Sequence, residues 1–268
     1  MIKHIFSDMD NTLLNATGVV SEGNIKAIKE SKIPFTLVSA RAPMEMQDTI
    51  DKLNLTSAQI AFNGGLIFKP NNGSIEKISE HHLLLSTVQE IIEHIKTDFP
   101  DVSISCYDTD NWYSEKVDFG IKYESKITSI DPTIVNFEEL FQNANINFFK
   151  IMLITPTAKE VKVLHKFITD LKISDITVQQ SGNNYLEVTN NKAQKSHGIK
   201  YVQELNNLKR SDLAAFGDGH NDIPMLKMVE TPIIMENAVD EVKQYSNLIT
   251  KSNVEDGVAF GIKKYLTH

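Results

Sequence analysis

Cysteine is almost missing from this chain. Cys106 is the single one among 268 residues, which excludes an internal disulfide and any thiolate cluster for zinc or iron–sulfur. Its expected role is that of a small buried hydrophobe. Arginine is nearly as scarce, with only Arg41 and Arg210. The net charge of -8, without clustered basic residues, argues against a nucleic-acid partner. An acidic chain can still take a small anion where a metal or a local lysine supplies positive charge. No apolar run approaches the roughly 20 residues that a bilayer span needs. Lys3, His4 and Asp8 stand where a signal-peptide core would have to form, so the expectation is a cytoplasmic protein with no membrane partner. Pro-rich, Gly/Ser-rich and repeated segments are also missing, and extended disorder is not expected.

What is present alternates. Lys3 to Ser7 is a short apolar run ending at Asp8, and Phe35 to Ser39 is another ending at Ala40-Arg41; both read as buried strands. Between them Ser21 can cap a helix carrying Ile25 and Ile28, which Pro34 stops. Pro43 opens a further helix through Met46, Ile50 and Leu53. Gln59 to Phe62 then reads as a third strand, ending at Asn63-Gly64-Gly65. The alternation predicts an α/β protein with a Rossmann-like parallel sheet, whose polar turns fall at the carboxyl ends of the strands, where ligands bind.

The pattern changes from His81. A helix with Leu84, Val88, Ile91, Ile92 and Ile95 leads to strands at Val102 to Tyr107 and Trp112 to Ser114. A strand at Phe148 to Ile154, a helix through Val161, Leu164 and Ile168, and strands at Ile176 to Gln180 and Tyr185 to Val188 follow. Turns at Asp110-Asn111 and Gly182-Asn183-Asn184 suggest hairpins, hence an α+β insert with an antiparallel sheet over 81–190. Alternation then resumes with a helix at Ser196 to Leu205, a strand at Leu213 to Phe216, a helix at Asp222 to Met228, a strand at Pro232 to Met235 and a closing helix before Leu266. The expected core is therefore split, 1–80 with 191–268. The insert holds nine lysines, no arginine and 16 acidic residues, a net charge of -7, so it carries nearly all the negative charge.

Two acidic turns carry the chemistry. Asp8-Met9-Asp10-Asn11-Thr12-Leu13 follows the first strand directly, with two carboxylates two residues apart. One can attack phosphorus while the other protonates the leaving oxygen and later takes a proton from water. Gly217-Asp218-Gly219-His220-Asn221-Asp222 follows a later strand and enters a helix. There Asp218 can offer Mg²⁺ the hard oxygen ligand it prefers, and Asp222 can hold one of the metal's waters. Ser39, by its hydroxyl and backbone N–H, and Lys195, by its charge, suit a phosphate; Lys192 stands nearby as the alternative lysine. His81-His82 lack a third ligand at useful spacing and read as a hinge entering the insert. His220 reads as a rim residue, and Trp112 and Tyr113 as packed hairpin aromatics.

These motifs resemble the haloacid dehalogenase-like phosphatase superfamily, and the long insert after the third strand resembles its Cof-type branch with a type IIB cap. The resemblance spans essentially the whole chain. It implies a Mg²⁺-dependent phosphatase acting on small phosphorylated metabolites, with Asp8 as nucleophile and Asp10 as general acid/base. It implies Asp8, the Asp10 carbonyl and Asp218 as metal ligands, with Asp222 behind them. Met9, Ser39, Ala40, Asn63, Gly64, Lys195 and Asn221 would meet phosphate or substrate. Asn253 through Val258 resembles the family's closing N-x-x-D-G-V stretch. Departures are Asn11 where glycine is common, Ser39-Ala40-Arg41 for T-G-R, and Glu236-Asn237-Ala238 for G-N-A. On position alone Arg41 reads as structural or near the entrance. Two other readings share the motifs: a phosphohexomutase, which an insert without arginine disfavours, and a phosphometabolite-binding module without turnover. No feature of the sequence fixes an oligomeric state.

Overall fold

The computed structural model describes residues 1–71 and 73–266. They form two compact units: residues 1–41 and 46–80 with those from Gln194 onward, and residues 42–45 with 81–193. The second unit runs on to Ala193 through a turn after its last strand. In that turn Ala193 N donates to the Asn190 carbonyl and Lys192 N to the Asn190 side chain.

The first unit is built on a parallel sheet in the order Thr231–Ile234, Leu213–Gly217, His4–Ser7, Phe35–Leu37. A parallel bridge from Val38 to Ile60 continues it to Gln59–Ala61. The two central strands are buried along their whole length, as expected where helices cover both faces of a parallel sheet. Those helices include Glu22–Ser31, Pro43–Leu53, Lys195–Leu205 and Ile223–Met228. Ser21 caps the first by accepting a hydrogen bond from Asn24 N, and Lys32 closes it in the left-handed conformation. Phe6, Ile60, Ile199, Val202, Ala215 and Met225 share one apolar cluster, which fixes the Lys195–Leu205 helix against the sheet. This is the parallel α/β core expected from the alternation of apolar runs.

The sequence did not announce the antiparallel extension that follows Gln59–Ala61. Leu66–Asn71 pairs with Gln59–Ala61 and then with Ser74–Glu80. Only the first three residues of this hairpin are deeply buried, so it lacks the apolar alternation that marks a strand.

The second unit contains a six-stranded sheet in the order Ile176–Gln180, Tyr185–Asn190, Lys150–Ile154, Ser103–Tyr107, Trp112–Ser114, Thr133–Ile134. It is antiparallel, as expected, except at its edge: Trp112–Ser114 and Thr133–Ile134 run parallel. The cause is the helix Phe119–Thr128, capped by Asp118, because a crossover helix returns the chain in the same direction, whereas a tight turn reverses it. Helices Leu85–Asp98 and Ala158–Asp170 bury Ile91, Ile95, Leu164 and Ile168 against Ile151, Leu153 and Val188 of the sheet. Cys106 is buried in the same cluster, and Trp112 stacks on Tyr107. No helix among the described residues is long and apolar enough to cross a membrane.

His4, at the start of the central strand, is buried and hydrogen-bonded to Thr36 Oγ1 at 2.9 Å. Burial lowers its pKa to about 4. Between that value and the ordinary 6.5 the unfolded chain binds the proton and the folded one does not, so stability is lost as pH falls through this window. The His4-dependent loss expected on going from pH 7 to pH 4 is on the order of 3 kcal/mol. Urea unfolding of wild type and His4→Asn across this range should show the variant with the flatter profile.

Candidate active site

The strand ends bring the two acidic turns together. Asp8 follows Ser7 directly, and its N–H donates to the Phe216 carbonyl of the neighbouring strand at 3.0 Å. Asp218 follows Gly217 at the end of that neighbour. Thr12 Oγ1 donates to Asp218 Oδ1 at 2.6 Å, tying one acidic loop to the other. Carboxylate oxygens of Asp8, Asp218 and Asp222 all lie within 4.8 Å of one another.

Lys195 sits inside this cluster. It is the first residue of its helix, with a side chain that is 0% exposed, and its ammonium donates to Asp8 Oδ1 at 2.5 Å and Asp222 Oδ1 at 2.6 Å. Burial alone would lower the lysine pKa, but the two carboxylates raise it, so the charge is retained. Lys192, the alternative, is exposed. Burial, then Asp222 and Asp218, push Asp8 well above the usual carboxylate range despite Lys195. Burial chiefly, with Asp222 adding to it, raises Asp218 to about 6 against the opposing Thr12 hydrogen bond.

The other Asp222 oxygen accepts from the backbone N–H groups of Asp218 and Gly219, each at 2.9 Å. Sequence reasoning assigned Asp222 to a metal-bound water. In the structure both its oxygens are already engaged, and it braces Lys195 and the 218–219 loop. At Ser39 the backbone differs from the expectation. Its N–H donates to the Ile60 carbonyl at 2.9 Å, so the strand pairing consumes the group expected to face phosphate and the hydroxyl is what Ser39 can offer. Asn63 N donates to the Ser39 carbonyl at 2.7 Å, and Asn221 Nδ2 donates to Asn63 Oδ1 at 3.4 Å. Ser39, Asn63 and Asn221 thus form a connected polar margin.

Gly64 has φ +100°, and a Cβ there would stand 2.3 Å from the Gln194 carbonyl oxygen. Only glycine lets this turn lie against the start of the lysine helix. Met9 is buried, and its carbonyl accepts from Leu14 N at 2.8 Å, closing the loop. Asn11 takes φ +57°, a left-handed conformation that asparagine tolerates better than most residues; this accounts for asparagine where glycine is common. Asn237 Nδ2 donates to the Asn11 carbonyl, and Asn253 Nδ2 to the Leu14 carbonyl, each at 2.8 Å. Two distant asparagines thereby staple the first acidic loop. Asp10 is not part of that three-carboxylate group; its half-exposed carboxylate pairs with Arg41.

Thr12 and Asn237 were not assigned roles from sequence, though both lie within motifs already singled out. Among the described residues the Asp8, Asp218 and Asp222 group is the one cluster of three or more potential metal ligands, and it includes no histidine. His220 is largely exposed, 4.0 Å from Glu241, and His82 binds the Leu83 carbonyl.

Fold and centre together place the chain among α/β proteins that gather aspartates at the carboxyl edge of a parallel sheet. It belongs to the haloacid dehalogenase-like hydrolase family, whose model matches residues 5–262. A Haemophilus influenzae protein provisionally named a phosphatase is 29% identical over 265 residues, covering 97% of this chain and 96% of its own. A Bacillus subtilis protein named 5-amino-6-(5-phospho-D-ribitylamino)uracil phosphatase is 26% identical over 293 residues, covering 99% of each chain. The solved structure of a haloacid dehalogenase-like hydrolase from Bacteroides thetaiotaomicron is similar in fold, with a TM-score of 0.88 at 23% identity over 98% of this chain and 99% of that one.

Two buried carboxylates share one lysine beside the half-buried Asp218, which leaves excess negative charge that a divalent cation would offset. Donor set and charge therefore fit a hard metal ion. Removing the lysine charge should be severe. Lys195→Ala is expected to lose about 3–5 kcal/mol of unfolding free energy at neutral pH, with part of the loss recovered as acid protonates Asp8. Urea titrations at neutral and mildly acidic pH measure both effects.

Proposed function

We propose that the protein is a cytosolic, Mg²⁺-dependent phosphatase that hydrolyses small phosphorylated metabolites through an aspartyl-phosphate on Asp8. The observation that carries this reading is the buried Asp8 carboxylate, held by Lys195 at the carboxyl edge of the sheet beside Asp218. Asp8, the Asp10 carbonyl and Asp218 would hold the ion. A bound Mg²⁺ would supply positive charge for the phosphoryl oxygens and relieve the repulsion among the carboxylates.

In the first step a carboxylate oxygen of Asp8 attacks phosphorus, the bond from phosphorus to the ester oxygen breaks, and the departing oxygen takes a proton from the Asp10 carboxyl. In the second step a water gives a proton to Asp10 and attacks the same phosphorus. The bond to Asp8 breaks, releasing inorganic phosphate and restoring the Asp8 carboxylate and the protonated Asp10 carboxyl. Lys195 balances charge near the nucleophile in both steps, while Ser39, Asn63 and Asn221 offer polar groups to the phosphoryl oxygens or the substrate, with the Met9, Ala40 and Gly64 backbone nearby. The insert serves as a lid that excludes bulk water. A sugar phosphate or a phosphorylated cofactor precursor is the substrate class we favour, in keeping with the ribityl phosphate named for the Bacillus relative.

Asp8→Asn removes the nucleophile with little change in shape. We expect Mg²⁺-dependent phosphate release to fall on the order of 10⁴-fold or more, while circular dichroism and cooperative thermal unfolding stay like those of wild type. Undiminished phosphate release by that variant would contradict the assignment.

A further inference from the structure

Arg41 is one of two arginines in the chain, and its guanidinium meets Asp10. Its Nε donates to Asp10 Oδ2 at 3.0 Å and to Oδ1 at 3.2 Å, and its Nη2 donates to Oδ1 at 2.7 Å. This is a forked contact of a planar guanidinium on a carboxylate, which fixes direction as well as distance. The arginine side chain is 15% exposed and the aspartate side chain 50%, so the more buried partner orients the freer one. Arg210, by contrast, is exposed, with a 3.8 Å contact to Glu230.

The backbone makes Arg41 a fixed post. Its N–H donates to Ser39 Oγ at 3.1 Å, and its carbonyl accepts from Phe62 N at 3.0 Å. The Asp10 side is also anchored, through the Asn237 contact to the Asn11 carbonyl. Asp10 is thus gripped between two strand ends.

We propose that Arg41 is the positioning residue for Asp10: its fork sets where the Asp10 carboxylate stands and thereby governs proton delivery to the leaving group. This inference rests on the phosphatase reading given above. A leaving group with high proton affinity depends on a well-aimed donor, whereas a nitrophenolate departs without one. Water attack on the phosphoryl-enzyme needs Asp10 whatever the leaving group was.

The test compares glucose 6-phosphate with 4-nitrophenyl phosphate in Mg²⁺ for wild type, Arg41→Ala, Arg41→Lys, Asp10→Asn and the Arg41→Ala/Asp10→Asn double variant. For Arg41→Ala, kcat/KM on glucose 6-phosphate should fall on the order of tenfold or more, while kcat/KM on 4-nitrophenyl phosphate changes by less than about threefold. With the aryl ester, kcat should drop and a burst of nitrophenolate should precede the steady state. Arg41→Lys keeps the charge but loses the fork, and should show the same split in weaker form. In the Asp10→Asn background, Arg41→Ala should cost nothing further.

Equal losses on both esters, or additive losses in the double variant, would overturn the proposal while leaving the phosphatase reading in place. A rise in KM alone would overturn it too, by making Arg41 a direct substrate contact. Wild-type enzyme that releases phosphate from neither ester nor from any other phosphomonoester would overturn the phosphatase reading, and this inference with it. Urea unfolding of each variant separates lost positioning from lost folding.

Discussion

The centre depends on one buried cation. The Lys195 ammonium lies out of water between Asp8 and Asp222, and neither carboxylate could remain charged there without it at tolerable cost. Placing that ammonium is the task of the surrounding fold. The helix it begins is fixed by Ile199 and Val202 in the core, and the turn at Gly64 lies against the helix start. Asp222, 0% exposed, holds the lysine with one oxygen and the Asp218 loop with the other.

The same arrangement leaves the acidic centre incomplete as a balance of charge. Asp8 and Asp218 both titrate above the usual carboxylate range, because burial and mutual repulsion exceed what one lysine offsets. Backbone restraint keeps these groups from relaxing apart. Thr12 ties one loop to the other, and Asn237 and Asn253 hold the carbonyls of Asn11 and Leu14. Such preorganisation places donors and charge before a substrate arrives, so little reorganisation is needed during reaction. The family to which the chain belongs is one of hydrolases, and a centre poised in this way suits that chemistry.

Much of this was legible in the sequence where chemistry and local pattern coincide. Asp8 and Asp218 could be located because each ends a short apolar run, and strand ends in a parallel sheet share one edge. Lys195 could be preferred over Lys192 by its position at a helix start. The Ser39 N–H was misread, because the bridge between Val38 and Ile60 is a long-range pairing that no local pattern reveals. The hairpin of Leu66–Asn71 and Ser74–Glu80 escaped notice because most of its residues face solvent. The parallel edge of the second sheet was missed with the helix Phe119–Thr128, on which Phe119, Tyr123 and Ile127 are exposed and blur the expected amphipathic pattern. The roles of Asp222 and Arg41 likewise depend on which partner each meets in space.

The most direct test of the account is chemical trapping of the nucleophile. Enzyme turning over a phosphomonoester with Mg²⁺ would be quenched in acid and reduced with borohydride, which converts an aspartyl-phosphate to homoserine, and the peptides read by mass spectrometry. Homoserine at position 8, formed only when substrate is present, is the predicted result. Active enzyme that yields homoserine at a different aspartate, or none under conditions that trap known aspartyl-phosphates, would contradict it.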